Sequence, residues 1–275
     1  MVASLAGRVH VRASGRVDGP AVVLSSALGG AWFDWDAVVA LLPDAHVLVF
    51  DRPGTGLSDP APAPATLARE VAVLDAVLAG VGPVVLVGHS MAALHVEAWA
   101  RLRPGRVRGL VLVDPDPEVP GAGRPADLSA AVARWVLRTG LDAVMAGQGP
   151  RLRRWAMWWS TLRRCDPASA AVLRSVYGRP SVTRAVLDEL ASYPAQVGAV
   201  ERLRAFRPLP PAPLTVLTAG RREFAAHVAL AAMSPTGRTV PVPGSRHMVP
   251  VDRPDAVALA VLEALRGDGA GGARG

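Results

Sequence analysis

Lysine, asparagine and isoleucine are missing from this 275-residue chain, and cysteine occurs once, at Cys165. A single thiol excludes an internal disulfide and agrees with a reducing compartment. Because lysine is missing, all 30 basic residues are arginine, the pattern of a G+C-rich coding sequence rather than of a surface built to bind. The net charge of +7 would by itself invite a phosphate-backbone partner. The arginines are scattered, however, with modest knots at Arg151, Arg153 and Arg154 and at Arg163 and Arg164, so no nucleic-acid partner is expected. No apolar run reaches the length of a bilayer crossing, and no charged-then-apolar leader follows Met1. The expectation is a cytoplasmic protein with no membrane span. No His/Cys/carboxylate cluster stands at metal-ligand spacing, and Gly54 and Gly56 in "RPGTGLSD" lack the lysine of a phosphate loop. Neither metal nor cofactor is expected.

What is present is a chain 51% hydrophobic, long enough to bury a sizeable core. Apolar runs recur at residues 8–13, 21–26, 46–51, 83–88, 109–114, 214–219 and 238–243, with helical patterns between them. This alternation predicts an α/β fold with a mostly parallel sheet and helices on both faces. Asp34 is placed to cap a helix carrying Trp35, Val38, Val39 and Leu42. Thr66 opens another, with Leu67, Val71, Leu74 and Leu78 inward and Gly80 at its stop.

One region breaks the alternation. From about 119 to 209 only helical patterns occur, bracketed by "DPDPEVPGAGRP" and "FRPLPPAPL", which predicts an all-helical lid inserted after the strand ending near Asp114. The organisation is then a core in two parts, 1–118 and 210–266, the lid at 119–209, and a disordered tail at 267–275. Within the lid, "RLRRWAMWWSTLRR" puts Trp155, Trp158, Trp159 and Leu162 on one helical face. Packing of the lid onto the core is the favoured role for this stripe, over lining the substrate path or touching a membrane.

The chemistry centres on "VVLVGHSMAALHVEAWARL". A strand ending Gly-His-Ser and running without a loop into a helix fits a nucleophile elbow, with Ser90 on a strained turn and small residues, Gly88 and Ala92, on either side. The following helix aims its first amides at the site, so the N–H of Met91 is an oxyanion donor. A serine needs a base within reach. Of the six histidines, His247 in "VPGSRHMVPVDRP" follows the last strand at the carboxyl edge, where parallel sheets gather their sites. An acid must then orient the imidazole. Glu223, Asp114 and Asp116 all follow strands, and chain order allows each.

Taken in order, "VVLSSALGGAWFDW", "VLVFDRPGTGLSD", "GHSMA", "LVLVDP" and "GSRHMVPVDRP" resemble the oxyanion strand and loop, the D-x-x-G-x-G-x-S-D loop, the G-x-S-x-G elbow, the strand before the lid and the histidine loop of the α/β-hydrolase family. The resemblance runs over almost the whole chain outside the lid. It implies a second oxyanion amide at Leu28, just after Ser26 and Ala27, which stand where the family usually has His-Gly. It favours Glu223 as the acid, since Gly220-Arg-Arg-Glu223 falls in the register of the family's G-x-x-D. Ala92 replaces the last glycine of the elbow. Epoxide hydrolases and haloalkane dehalogenases of this fold use an aspartate nucleophile, so a serine at 90 argues against both activities. The implied function is a serine hydrolase acting on an ester or related acyl bond of a small, apolar substrate, with His89, Trp155, Trp158, Trp159 and Met248 as candidate substrate-lining residues. An acyltransferase or perhydrolase would use the same parts, and a catalytically weak receptor or scaffold of the same fold is the rival from another class.

Overall fold

The computed structural model describes residues 1–4, 6–116, 125–220 and 224–267. The chain opens with a hairpin, β1 (Val2–Ser4) antiparallel to β2 (Gly7–Val9). Seven strands follow in one sheet: β3 (Val11–Gly15), β4 (Ala21–Ser25), β5 (His46–Phe50), β6 (Val84–His89), β7 (Val107–Val113), β8 (Leu214–Thr218) and β9 (Gly237–Pro241). Their spatial order is β3-β5-β4-β6-β7-β8-β9. Among the described residues of this sheet, only β3 runs antiparallel to its neighbour, β5, and the other pairings are parallel.

The helices are α1 (Asp36–Val39), α2 (Leu67–Val77), α3 (Ala92–Leu102), α4 (Pro125–Thr139), α5 (Asp142–Met145), α6 (Gly149–Ser160), α7 (Ala170–Tyr177), α8 (Pro180–Phe206), α9 (Phe224–Ala231), α10 (Val249–Asp252) and α11 (Pro254–Arg266). Strand side chains alternate between faces, and the two halves of the core follow that alternation. Val84 and Leu86 of β6 pack with Val71 and Leu74 of α2 and Trp99 of α3. Val85 and Val87 pack on the opposite face with Trp35, Val38 of α1 and Val261 of α11. Covering both faces is why β4, β6 and β8 are buried along their whole length and rich in apolar residues. Each large side chain so buried contributes roughly 1.5–3 kcal/mol.

Two sequence expectations change here. The run at 8–13 is broken at His10, whose N–H donates to Ser58 Oγ at 2.9 Å and whose carbonyl accepts from Asp51 N. Residues 7–9 therefore join the hairpin and 11–15 the main sheet. Asp34 is no helix cap: it sits within a 3-10 turn, Trp32–Trp35, where its carboxylate accepts from the Ala31 N–H and pairs with Arg153. Thr66 caps α2 as expected, accepting from Arg69 N at 3.1 Å.

Helices α4 to α8 lie between β7 and β8 and form the helical insertion. The long α8 ties it to the sheet, since Val197 and Val200 join the same core as β4, β6 and α3. The parallel strands bring the ends of β4, β6 and β7 and the loop after β9 to one edge.

Candidate active site

The turn from β6 into α3 carries Ser90 at φ 54°, a left-handed conformation costly for any residue with a Cβ. Its N–H donates to the Val113 carbonyl at 2.9 Å, and its carbonyl accepts from Ala93 to begin α3. The close strand-to-helix approach explains the small neighbours. A Cβ on Gly88 would lie 2.6 Å from the Ala92 carbonyl oxygen and 2.6 Å from a Val96 methyl, and Ala92 is completely buried.

His247 lies in the loop between β9 and α10, with Nε2 3.0 Å from Ser90 Oγ and Nδ1 2.8 Å from Asp114 Oδ2. A carboxylate only accepts, so Nδ1 carries the proton and Nε2 is left to accept from the hydroxyl. Asp114 follows β7 at φ 41°, and its second oxygen accepts from the Ala219 N–H at 2.9 Å. Burial alone would push this carboxyl up; the bonds from His247 and Ala219 overcome it and hold it below the ordinary carboxylate range. The imidazole is the open member of the three: its side chain is 41% exposed, against 10% for that of Asp114.

His89 holds the imidazole's backbone. Its Nε2–H donates to the His247 carbonyl at 2.8 Å, and its ring lies 5.0 Å from that of His247. Burial, together with the neighbouring His247, pushes its pKa down to about 3, so it stays neutral. On the other flank the N–H of Met248 donates to the Ser160 carbonyl at 2.9 Å.

The loop after β4, residues 26–31, is gripped from several sides. Arg52 donates to the carbonyls of Ser26 and Ala27, the latter at 2.9 Å, and forms a fork with the Glu189 carboxylate through Nε at 2.6 Å and Nη2 at 2.9 Å. Glu189, on α8, also accepts from Gly29 N at 3.3 Å, and Tyr177 O–H donates to the Gly29 carbonyl at 2.9 Å. Trp35 Nε1 donates to Ser26 Oγ at 2.9 Å. Among the described residues, the N–H groups of Leu28 and Met91 have no intramolecular acceptor.

Ser90, His247 and Asp114 thus meet. Glu223 lies outside the described residues, and the carboxylate on Nδ1 is Asp114. Asp116 is exposed and lines, with Gly220, Ser245 and Arg246, a cleft of about 480 Å³ beside His247. The proposed lining residues fall elsewhere. His89 and Met248 are buried at 1% and 5% exposure, so they back the site rather than line it. Trp155, Trp158 and Trp159 face outward, which also removes the expected packing of that stripe onto the core. The inward face of α6 is taken instead by Met157 and by Arg153, whose charge is met by Asp34 and Asp166 and whose guanidinium lies over the rings of Phe33 and Tyr177.

Sequence reasoning missed Arg52, Glu189 and Tyr177. Arg52 had a signal, standing next to Asp51 in the D-x-x-G loop; the other two lie in helical patterns with nothing to mark them. Among the described residues, no cluster of three or more His, Cys, Asp or Glu side chains could hold a metal ion, and no helix is long and apolar enough to cross a membrane.

Known proteins resemble this chain in sequence and in fold. "Putative carbamate hydrolase RutD" of Variovorax paradoxus is 40% identical over 113 residues, 38% of this chain and 42% of that protein, so the chain matches less than half the length of this curated relative. The haloalkane dehalogenase DbeA of Bradyrhizobium elkani superposes with a TM-score of 0.76 at 19% identity, covering 96% of each chain. A thermophilic esterase from Thermogutta terrifontis superposes with a TM-score of 0.71 at 23% identity, covering 97% of each chain. At such identities the structures speak for the fold alone. The model of the alpha/beta hydrolase family matches residues 22–261, nearly the whole of the sheet and the insertion, and the chain belongs to that family.

Proposed function

We propose that this protein is a serine hydrolase that cleaves an ester, or a related acyl bond, of a small molecule through an acyl-enzyme. The observation that carries the reading is the unbroken line from Ser90 Oγ through the His247 imidazole to Asp114, at 3.0 and 2.8 Å. In the proposed cycle Nε2 of His247 takes the hydroxyl proton as Ser90 attacks the acyl carbon. The new imidazolium is stabilised by Asp114, and the proton then passes to the leaving group. Water, activated by the same imidazole, releases the acid and restores Ser90.

Charge develops on the former carbonyl oxygen, and we assign its stabilisation to the N–H groups of Leu28 and Met91. A trans peptide sets its C=O and N–H on opposite sides. With Arg52 fastened to the Ala27 carbonyl, the N–H of Leu28 is turned away from the guanidinium and left to donate. The left-handed turn at Ser90 supports the same role for Met91, at the first turn of α3.

Serine favours acyl substrates because a serine ester is released by water, whereas a serine ether from an alkyl substrate is not. The likeness to the protein named as a carbamate hydrolase adds carbamates to the acyl bonds worth testing. The test is labelling by a fluorophosphonate probe together with turnover of p-nitrophenyl esters and carbamates of graded size. Labelling at Ser90 with turnover supports the reading; intact folding with neither would assign the chain to the non-catalytic binders of this fold.

A further inference from the structure

We propose that the outer face of α6 and the turn after it form a docking surface for an anionic lipid bilayer, set beside the catalytic loop. Arg153 and Met157 face inward, and on the opposite side Trp155 is 65% exposed, Trp159 53% and Trp158 38%, with Leu152 at 45% and Leu162 at 55%. Tryptophan is usually buried at least in part, as Trp35 and Trp99 are here at 0%. Three indoles in five positions turned outward form a patch that water covers poorly.

The charge around the patch names its partner. Arg151, Arg154, Arg163 and Arg164 are exposed around these side chains, Arg164 lying 4.6 Å over the Trp158 ring. Among the described residues none of the four has a carboxylate partner. No acid occurs between Asp142 and Asp166, the Asp166 carboxylate is occupied by Arg153, and the Asp252 carboxylate, which reaches the edge of the patch from α10, is taken up by the N–H groups of Leu162 and Arg246. Indoles and leucines rimmed by arginine match the boundary between acyl chains and anionic headgroups: the rings settle at the interface and the guanidinium groups reach phosphate. A second copy of the chain would bring the same cations face to face, which opposes self-association through this surface.

The patch adjoins the site. The Trp159 carbonyl accepts from Arg246 Nη1 and the Ser160 carbonyl from Met248 N, both at 2.9 Å, on either side of His247. A docked molecule therefore holds its open imidazole edge near the lipid boundary, where apolar substrates concentrate. The binding itself is independent of the hydrolase reading.

The test uses co-sedimentation and tryptophan fluorescence with vesicles of phosphatidylcholine, with and without about 30% phosphatidylglycerol. The expected result is binding to the anionic vesicles with a blue shift, lost at about 0.5 M salt. Trp155→Ala/Trp159→Ala keeps the net charge and should weaken binding at least about tenfold. Changing the four arginines to Gln should weaken it about fivefold per charge. These residues are exposed, so the variants should melt as the parent does. Absence of binding to anionic vesicles, or binding that the double tryptophan variant retains in full, overturns the proposal. A dimer abolished by that variant would also overturn it, by giving the face to a second copy.

Discussion

The carboxylate of Asp114 stands 2.8 Å from Nδ1 of His247 and is fixed from behind by the Ala219 N–H. Asp114→Asn should therefore lower kcat by about 10⁴-fold while the fold persists, because an amide tolerates the wrong tautomer of the imidazole. Ser90→Ala or His247→Ala should each lower it by about a million-fold. Glu223→Gln should leave ester turnover within a factor of about three, small beside the loss expected from a triad member. Steady-state kinetics on one p-nitrophenyl ester checks all four, and a large loss from the Glu223 change would move the acid role to that residue.

The Arg52–Glu189 fork predicts a positioning effect. Glu189→Gln leaves the buried guanidinium without its counter-charge, at a cost of about 3–5 kcal/mol in stability. It also loosens the grip on the Ala27 carbonyl. Losing one aligned oxyanion donor costs about a hundredfold or more in kcat, so kcat should fall by up to that factor with KM little changed. Arg52→Lys should bring a similar loss, since an ammonium cannot hold two carbonyls and a carboxylate in one plane. A rise in KM with constant kcat would instead place the pair in substrate binding.

Gly88 predicts a packing effect. The smallest possible side chain there meets the Ala92 carbonyl and Val96 at 2.6 Å, and carbonyl backbone does not yield as a side-chain tip does. Gly88→Ala should cost about 1–3 kcal/mol, read from the urea midpoint. A neutral effect would mean that the elbow adjusts more freely than its close contacts imply.

Two buried histidines set an acid limit. Burial, with His247 beside His89 and Arg52 near His95, holds both pKa values down to about 3. In the unfolded chain each takes up a proton near about 6.5. Between these values the unfolded state binds more protons, so stability rises with pH and is lost as pH falls from about 6.5 towards 3. Urea midpoints should decline steadily from about pH 7 to 5. His95→Gln, whose amide can still donate to Gln196 Oε1 where His95 Nε2 now does at 2.7 Å, should flatten about half of that slope. An unchanged slope would put the acid limit elsewhere.

The sheet was legible because strands buried on both faces, such as β4 and β6, leave apolar-rich runs, and β4 to β9 all lie within two residues of the runs that announced them. Ser90 and His247 were legible for a local reason: each sits in a turn whose neighbours are constrained, Gly88 by the approach of Ala92 and His247 by the loop after β9. The partner of the imidazole was not. Asp114 and Glu223 both follow strands in the sequence, and the contact of Asp114 with Nδ1 is made in space, where chain order does not reach. The tryptophans misled because helical periodicity reports which residues share a face, not which face turns inward. In α6 a buried arginine, met by two carboxylates, took the inward position that apolar character alone would have given to indole.

The insertion reaches back 148 and 160 positions, from Tyr177 and Glu189, to hold the turn after β4. It is thus no detachable cover. On the proposed reading, cutting it away would remove both the supports of the turn assigned to receive the oxygen's charge and the Trp159 and Ser160 carbonyls that hold the loop of His247. New specificity in this scaffold is better sought by exchanging single side chains on α4 to α8 than by transplanting the whole segment from a cousin.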